Sequence, residues 1–188
     1  VSIASVSLFN SKTGLSLSKV GYPGATVDIL NKLDDRVFTE ELRRINPHMV
    51  VLAFGTNEGF NDNLNLVTYA NNYLNVVSKI RQTLPDAKIV VVAPPAASRG
   101  GPCNSPPNLE RVRARLIELA QDEKLQVWDW SSIMPSSCGA QAWASANPKL
   151  MASDHVHLTR AGYELSAKHF AKFLEPIVTE MRKIQYAL

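Results

Sequence analysis

One short stretch of the sequence, SDHVHLTRAGY at residues 153–163, carries one acid and two histidines just before a predicted helix. Asp154 can accept a hydrogen bond from one ring nitrogen of His157. That contact would hold the imidazole in the tautomer that a general base in acyl transfer needs. His155, between them, is expected to shape the loop. The spacing therefore raises the question of which residue His157 would deprotonate.

Two other interpretations of the same stretch stay open at this point. Asp154, His155 and His157 are all potential metal ligands, and the stretch could simply cap the helix that follows. Because side chains so close together do not easily reach one ion and no further acidic cluster is evident, we predict no metal and no cofactor. His48 and His169 are expected to be structural, since one begins a predicted strand and the other lies on a predicted helix.

Three short apolar runs predict buried parallel strands, because each is rich in branched residues and helical patterns separate them. The runs are HMVVLAF (48–54), AKIVVVA (87–93) and LQVWDW (125–130), and a last helix is expected from about Arg160 with Thr159 as its N-cap. Strands that alternate with helices predict an α/β fold, a three-layer α/β/α sandwich with a parallel sheet. The predicted buried faces are Leu66, Tyr69, Ala70, Tyr73, Val76, Val77, Ile80 and Leu84 in the first helix and Leu109, Val112, Leu116 and Leu119 in the second.

The first fourteen residues fit a parallel sheet less well. VSIASVSLF alternates with period two, NSKTG is a turn, and LSLSKV (15–20) alternates again, so together they predict a β-hairpin-like segment. We therefore divide the chain into an N-terminal extension over residues 1–14 and one α/β domain over residues 15–188, with LSLSKV as a further strand.

Composition narrows the classes of function. A chain of 188 residues with 45% hydrophobic and 20% charged residues is typical of one globular domain. The net charge of +3 is small, and no stripe of Lys and Arg is interleaved with aromatic residues, so we expect no nucleic-acid partner. No apolar run reaches the roughly 18 residues that a membrane helix needs, so we expect no membrane span.

Two more polar segments are expected at the same edge of the sheet as the Asp154–His157 loop. Gly24 follows the predicted strand at 15–20, and Asn57, in GTNEG (55–59), follows the strand at 48–54. In open α/β sheets, ligands bind beyond the carboxyl ends of the strands. Taken singly, these features are also explained by a turn glycine, a loop-capping amide and a surface pair.

Taken together, GYPGATV, GTNEG and DHVHLTRAGY resemble the sequence blocks of the SGNH (GDSL-type) hydrolases over residues 15 to 180. The resemblance implies a flavodoxin-like α/β/α sandwich and a serine esterase site. His157 would be the general base and Asp154 its orienting acid. The Gly24 N–H and the Asn57 side-chain amide would form the oxyanion hole, together with the N–H of the nucleophile.

The nucleophilic serine of that family stands in a Gly-Asp-Ser block, and this sequence contains none. Ser7, in SVSLFN, is the serine whose surroundings are most similar to that block. The segment between Ser7 and Gly24, however, leaves no room for the usual helix and second strand. The arrangement resembles bacterial esterases that deacetylate cell-wall sugars, in which a β-rich module is inserted between the serine and glycine blocks. Residues 1–14 would then be the exit from that module, and the domain would lack its first strand.

This resemblance implies removal of O-acetyl groups from a cell-wall polysaccharide or peptidoglycan, by an exported, periplasmic or cell-envelope enzyme. The partners would be an O-acetylated carbohydrate and an N-terminal fragment of the same protein that carries the serine block. The alternative is a catalytically silent glycan-binding domain that has no nucleophile. A metal-content assay would test the metal hypothesis.

Two remaining expectations concern aromatic residues and cysteines. Trp143, in a polar loop, is the predicted sugar-stacking residue, whereas Trp128, in a predicted strand, is expected in the core. Cys103 and Cys138 both lie in loops, where they could form a disulfide or remain two unpaired thiols, since sequence does not supply the separation that a disulfide requires.

Overall fold

A computed structural model describes residues 14–101, 103–136 and 138–185. The elements follow one another in this order: α1 (Asp28–Asn31), α2 (Asp35–Ile45), β1 (Met49–Leu52), α3 (Thr56–Gly59), α4 (Leu66–Thr83), β2 (Lys88–Ala93), α5 (Leu109–Asp122), β3 (Gln126–Asp129), a 3₁₀ turn (Trp130–Ile133), α6 (Gly139–Ala144) and α7 (Arg160–Gln185). None of the helices in these ranges has the length and apolar character needed to cross a membrane.

The sheet in the described part of the chain has three strands in the order β1-β2-β3, and both neighbouring pairs are parallel. Met49 pairs with Lys88 at one end of the β1–β2 ladder, and Ala93 pairs with Asp129 at the other end of the β2–β3 ladder. The predicted strands are confirmed, although each is one to three residues shorter than its apolar run. Because β1 and β2 are parallel, the loops that follow them leave the sheet at the same edge, the one formed by the carboxyl ends of the strands.

Helices cover both faces of this sheet, which confirms the predicted α/β/α sandwich. On β2, Ile89, Val91 and Ala93 belong to the core cluster that α4 and α5 complete. Val90 is also fully buried, and the alternation of a strand turns it to the opposite face. On that face α7 packs, with the Phe170 ring centroid 4.9 Å from that of Trp128.

The predicted helix faces are confirmed, because the residues at 3.6-residue spacing are the buried ones. In α4 the buried residues are Tyr69, Ala70, Tyr73, Val76, Val77 and Ile80. In α5 they are Leu109, Val112, Leu116, Leu119 and Ala120. Trp128 is also buried, as expected for a strand residue.

The predicted strand at residues 15–20 is wrong. Residues 15–20 make no ladder, and Leu15, Leu17 and Val20 are between 87% and 93% exposed. An alternating pattern forms a strand only when a neighbour accepts its hydrogen bonds and a surface covers its apolar face, and the described residues supply neither. Most of the predicted N-terminal extension and hairpin, including Ser7, lies outside the described residues.

Cys103 and Cys138 form a disulfide across a sequence separation of 35 residues, with their Cα atoms 4.8 Å apart. It joins the long loop after β2 to the start of α6. The pairing resolves the choice that the cysteine count left open.

Removing this disulfide should lower the free energy of unfolding by about 3–4 kcal/mol, because a cross-link over a loop of this length restricts the unfolded chain. We expect the Cys103→Ser/Cys138→Ser variant to melt roughly 6–15 °C below the parent in thermal unfolding. Reductant should lower the melting temperature of the parent alone. Equal melting temperatures for the oxidised and the reduced parent protein would contradict the prediction.

Candidate active site

Asp154 and His157 form a hydrogen-bonded pair in the loop before α7. His157 Nδ1 lies 2.8 Å from one carboxylate oxygen of Asp154. The other oxygen accepts the backbone N–H groups of Val156 and His157, each at 2.9 Å. The carboxylate is therefore held by the loop itself, and it can orient the ring so that Nε2 faces away from the acid.

The electrostatics of the pair keep the acid ionised. Slight burial alone would raise the pKa of Asp154, but the backbone N–H of His157, its ring and the N–H of Val156 outweigh this and lower the pKa to about 2. A carboxyl group with a lowered pKa is charged at every pH above that value. Asp154 can thus stabilise an imidazolium across the whole range in which proteins normally work.

His155 shapes the loop through its backbone. It adopts a left-handed conformation with φ of 57°, which only a few per cent of residues other than glycine do. Its carbonyl accepts the N–H of Ser98 at 2.9 Å, and its own N–H donates to the Ala152 carbonyl. These bonds join the Asp154–His157 loop to the loop that follows β2. Within the described residues, no group of three or more His, Cys, Asp or Glu side chains is arranged to hold a metal ion.

The start of α7 is packed tightly behind this loop. The Thr159 side chain accepts the N–H of Gly162 at 3.2 Å, which is the predicted N-cap. Ala152 N–H donates to the His157 carbonyl at 2.7 Å, and Thr159 N–H donates to Leu150. A Cβ added at Gly162 would collide with the Leu150 carbonyl oxygen.

Gly162→Ala should therefore destabilise the protein by about 3 kcal/mol, because the obstructing atom belongs to the backbone and cannot rotate away. In thermal unfolding we expect a fall of roughly 6–12 °C in the melting temperature. Gly101→Ala is the matched control, since the nearest atom to its added Cβ lies at 3.9 Å. Equal melting of the two variants would contradict the assignment.

Asn57 and the turn that carries Gly24 are in direct contact. The Asn57 side-chain Nδ2 donates to the Ala25 carbonyl at 2.8 Å, over a separation of 32 residues. Gly24 has a φ of 73°, in the left-handed region that favours glycine. Asn57 follows β1, so the contact lies at the sheet edge where β1 ends. The Asn57 amide carries a second hydrogen, for which the described residues supply no acceptor.

Glu58 is a residue that the sequence interpretation did not single out beyond its place in the motif. Its side chain is 3% exposed and accepts backbone N–H groups from two separate loops. The sequence signal was an acid at the third position of a predicted helix directly after a strand, where its side chain can accept the N–H of the N-cap residue.

The prediction that Trp143 stacks on sugars is wrong, because this side chain is only 4% exposed. Trp143 lies in α6 and packs with Met134, Ala140 and Met151 in a second apolar cluster. Its carbonyl accepts the N–H groups of Leu150 and Met151. The polar composition of the surrounding sequence did not reveal that a short helix turns this ring inward.

The four predicted site residues lie on open surface. The His157 and Asp154 side chains are 76% and 49% exposed, and Gly24 and Asn57 are exposed as well. Asn57 follows β1, and the His155 carbonyl is bonded to the loop that follows β2, so both parts of the candidate site lie at the carboxyl edge of the sheet.

Solved structures with the same fold include several carbohydrate esterases. A peptidoglycan O-acetylesterase matches with a TM-score of 0.77 and 28% identity, over 84% of this chain and 45% of that chain. A family 3 carbohydrate esterase from Clostridium thermocellum matches with a TM-score of 0.61 and 19% identity, over 84% and 69% of the two chains. An acetylxylan esterase from Geobacillus stearothermophilus matches with 0.59 and 17%, over 80% and 68%. The chain thus spans under half of the first of these structures.

Comparison with curated protein sequences gives no match. The family model for GDSL-like lipases and acylhydrolases matches residues 5–165. This range contains all three blocks that carried the resemblance, from the Gly24 turn to the Asp154–His157 loop. The chain therefore belongs to the GDSL-like lipase/acylhydrolase family, the SGNH hydrolases.

Proposed function

We propose that this chain carries the histidine, acid and oxyanion-hole blocks of a serine esterase that removes O-acetyl groups from a bacterial cell-wall polysaccharide or peptidoglycan. The observation that carries the proposal is the pair of hydrogen bonds at the sheet edge. Asp154 orients the His157 ring at 2.8 Å, and the Asn57 amide is bonded to the turn of Gly24 at 2.8 Å. A base and two N–H donors are what ester hydrolysis by a serine requires.

In this mechanism a serine Oγ attacks the acetyl carbonyl while Nε2 of His157 takes the hydroxyl proton. The resulting oxyanion accepts hydrogen bonds from the Gly24 N–H and the Asn57 amide. Collapse breaks the ester C–O bond, the sugar oxygen leaves with the proton from His157, and an acetyl-serine remains. Water then attacks this ester with His157 as the base, which releases acetate and restores the serine.

We propose that the serine stands on a segment that pairs with the open edge of β1. In the described sheet β1 is an edge strand, and its Val51 is 40% exposed. An added strand would pair with this edge and cover exposed apolar surface at Val51. An N-terminal fragment of the same protein is the expected partner, and Ser7 remains the second candidate.

The substrate proposal rests on the peptidoglycan O-acetylesterase among the structures of similar fold. Such a substrate implies an exported, periplasmic or cell-envelope protein, and the disulfide between Cys103 and Cys138 is consistent with an oxidising compartment.

The proposal is tested with a fluorophosphonate serine reagent and an acetate-release assay. The chain is examined alone and together with any segment encoded before Val1, on O-acetylated peptidoglycan and on the same material after removal of its acetyl groups by mild base. We expect one labelled serine, whose position peptide mass spectrometry identifies, and acetate release from the acetylated polymer only. Absence of both labelling and acetate release in both preparations would refute the esterase.

A silent glycan-binding domain is the second candidate, and the absence of a Gly-Asp-Ser block from the sequence favours it. In that case the protein would sediment with insoluble O-acetylated peptidoglycan and release no acetate. Co-sedimentation and acetate measurement on the same samples distinguish the two functions.

A further inference from the structure

Glu58 bonds two loops that are distant in sequence. One carboxylate oxygen accepts the N–H of Val27 at 2.7 Å, across 31 residues, and the other accepts the N–H of Gly55 at 2.9 Å. Val27 directly follows the turn of Gly24, and Gly55 precedes Asn57. The two segments that carry the proposed oxyanion donors are therefore each bonded to one oxygen of the same carboxylate.

Capping of α3 explains only half of this arrangement. An acid at the third position of a helix commonly accepts the N–H of the N-cap residue, here Gly55. A cap of this kind is normally exposed to solvent, whereas Glu58 is 3% exposed and Val27 is 1% exposed. Burial of a carboxyl group costs free energy unless its oxygens accept hydrogen bonds, so the bond to Val27 is the one that helix capping does not require.

Among the residues that the structure describes, no positive charge contributes to the pKa of Glu58. Burial raises the pKa of Glu58, and the backbone N–H groups of Val27, Glu58 itself and Gly55 oppose this only in part. Burial raises the pKa values of Tyr69 and Tyr73, and the nearby Glu58 charge raises both pKa values further. The Tyr73 hydroxyl donates to the Leu52 carbonyl at 3.2 Å. In the described part of the chain, backbone N–H groups hold the carboxylate, and those of Val27 and Gly55 belong to two different loops.

We infer that Glu58 is a positioning residue, which ties the Gly24 turn to the Asn57 loop and so holds the Asn57 amide at the sheet edge before substrate binds. The direct bond from the Asn57 amide to the Ala25 carbonyl joins the same two loops. Its importance for catalysis rests on the proposed esterase function, whereas the tether itself does not.

The first test reads the tether without an activity assay. Glu58→Gln keeps the length of the side chain but leaves one accepting oxygen, so one backbone N–H loses its partner. By NMR we expect amide exchange at Val27 or Gly55 to accelerate about tenfold and the Asn57 side-chain resonances to shift. Tyr73→Phe is the matched control, because it removes a buried hydrogen bond from the same core and leaves the tether intact. Unchanged Val27, Gly55 and Asn57 signals in Glu58→Gln would overturn the inference.

The second test uses the assembled esterase. A misplaced oxyanion donor weakens binding of the transition state more than binding of the substrate. Glu58→Gln should therefore lower kcat by about 10- to 100-fold and leave KM within about threefold of the parent value. Tyr73→Phe should leave both constants within about twofold of the parent. Equal kcat values for Glu58→Gln and Tyr73→Phe would overturn the positioning role. A parent without esterase activity would refute the proposed function instead, and the NMR signals would still decide the tether.

Discussion

Replacing His157 with alanine should lower kcat/KM for acetate release by about 10³-fold or more in the assembled esterase, because general base catalysis alone contributes about 10²–10⁴-fold. The ring is the only group in the described loop that an acid orients by a side-chain hydrogen bond, through Nδ1 at 2.8 Å. The side chain is 76% exposed, so its removal should leave the fold intact. Steady-state kinetics and thermal unfolding on the same preparation measure both expectations.

His155→Asn and His169→Ala are the matched controls for that experiment. His155 acts through its backbone, and asparagine tolerates its left-handed conformation. His169 lies exposed on α7. Both variants should keep kcat/KM within about threefold of the parent. A loss of activity in His155→Asn as large as in His157→Ala would show that the wrong histidine has been assigned.

The pH profile adds a check on the pair. Asp154 has its pKa lowered to about 2, so it stays ionised as the pH falls until strong acid is reached. We therefore expect a loss of kcat/KM at mildly acidic pH to report an ionisable group of the free enzyme or free substrate other than Asp154. If Asp154→Asn left both the profile and kcat/KM unchanged, the acid would have no role in catalysis.

Replacing Asn57 with alanine is the second large effect, with an expected fall of about 10²–10³-fold in kcat, because loss of one oxyanion-hole donor typically has this effect. KM should change little, since the donor acts on charge that appears only in the transition state. Asn57 also bonds the Ala25 carbonyl, so part of the loss would reflect movement of the Gly24 turn. Initial rates on an acetyl ester, measured over a range of concentrations up to saturation, give kcat and KM separately.

Two further variants make the Asn57 experiment decisive. Asn57→Asp keeps the shape but has no N–H donor and brings a negative charge to the oxyanion, so it should be at least as inactive as alanine. Asn63→Ala, at an exposed asparagine a few residues along, should behave like the parent. Activity of Asn57→Asp close to that of the parent would exclude the amide as an oxyanion donor.

The local pattern of the sequence determined the sandwich and its core. In α4 the spacing of Tyr69, Tyr73, Val76 and Ile80 alone predicted the face that is buried. The apolar runs predicted three parallel strands, and the three blocks indicated the family. These features are accessible to sequence because helix and strand periodicities, and short loops after strands, depend on neighbours along the chain.

Only the tertiary structure decided which distant groups meet. It brought the Glu58 carboxylate to the Val27 N–H, paired Cys103 with Cys138 and turned Trp143 into a small core. It also left LSLSKV without a partner strand in the described residues, despite its alternating pattern. The physical reason is that a contact between residues far apart in sequence depends on how whole elements pack, and periodicity along the chain carries no information about that packing.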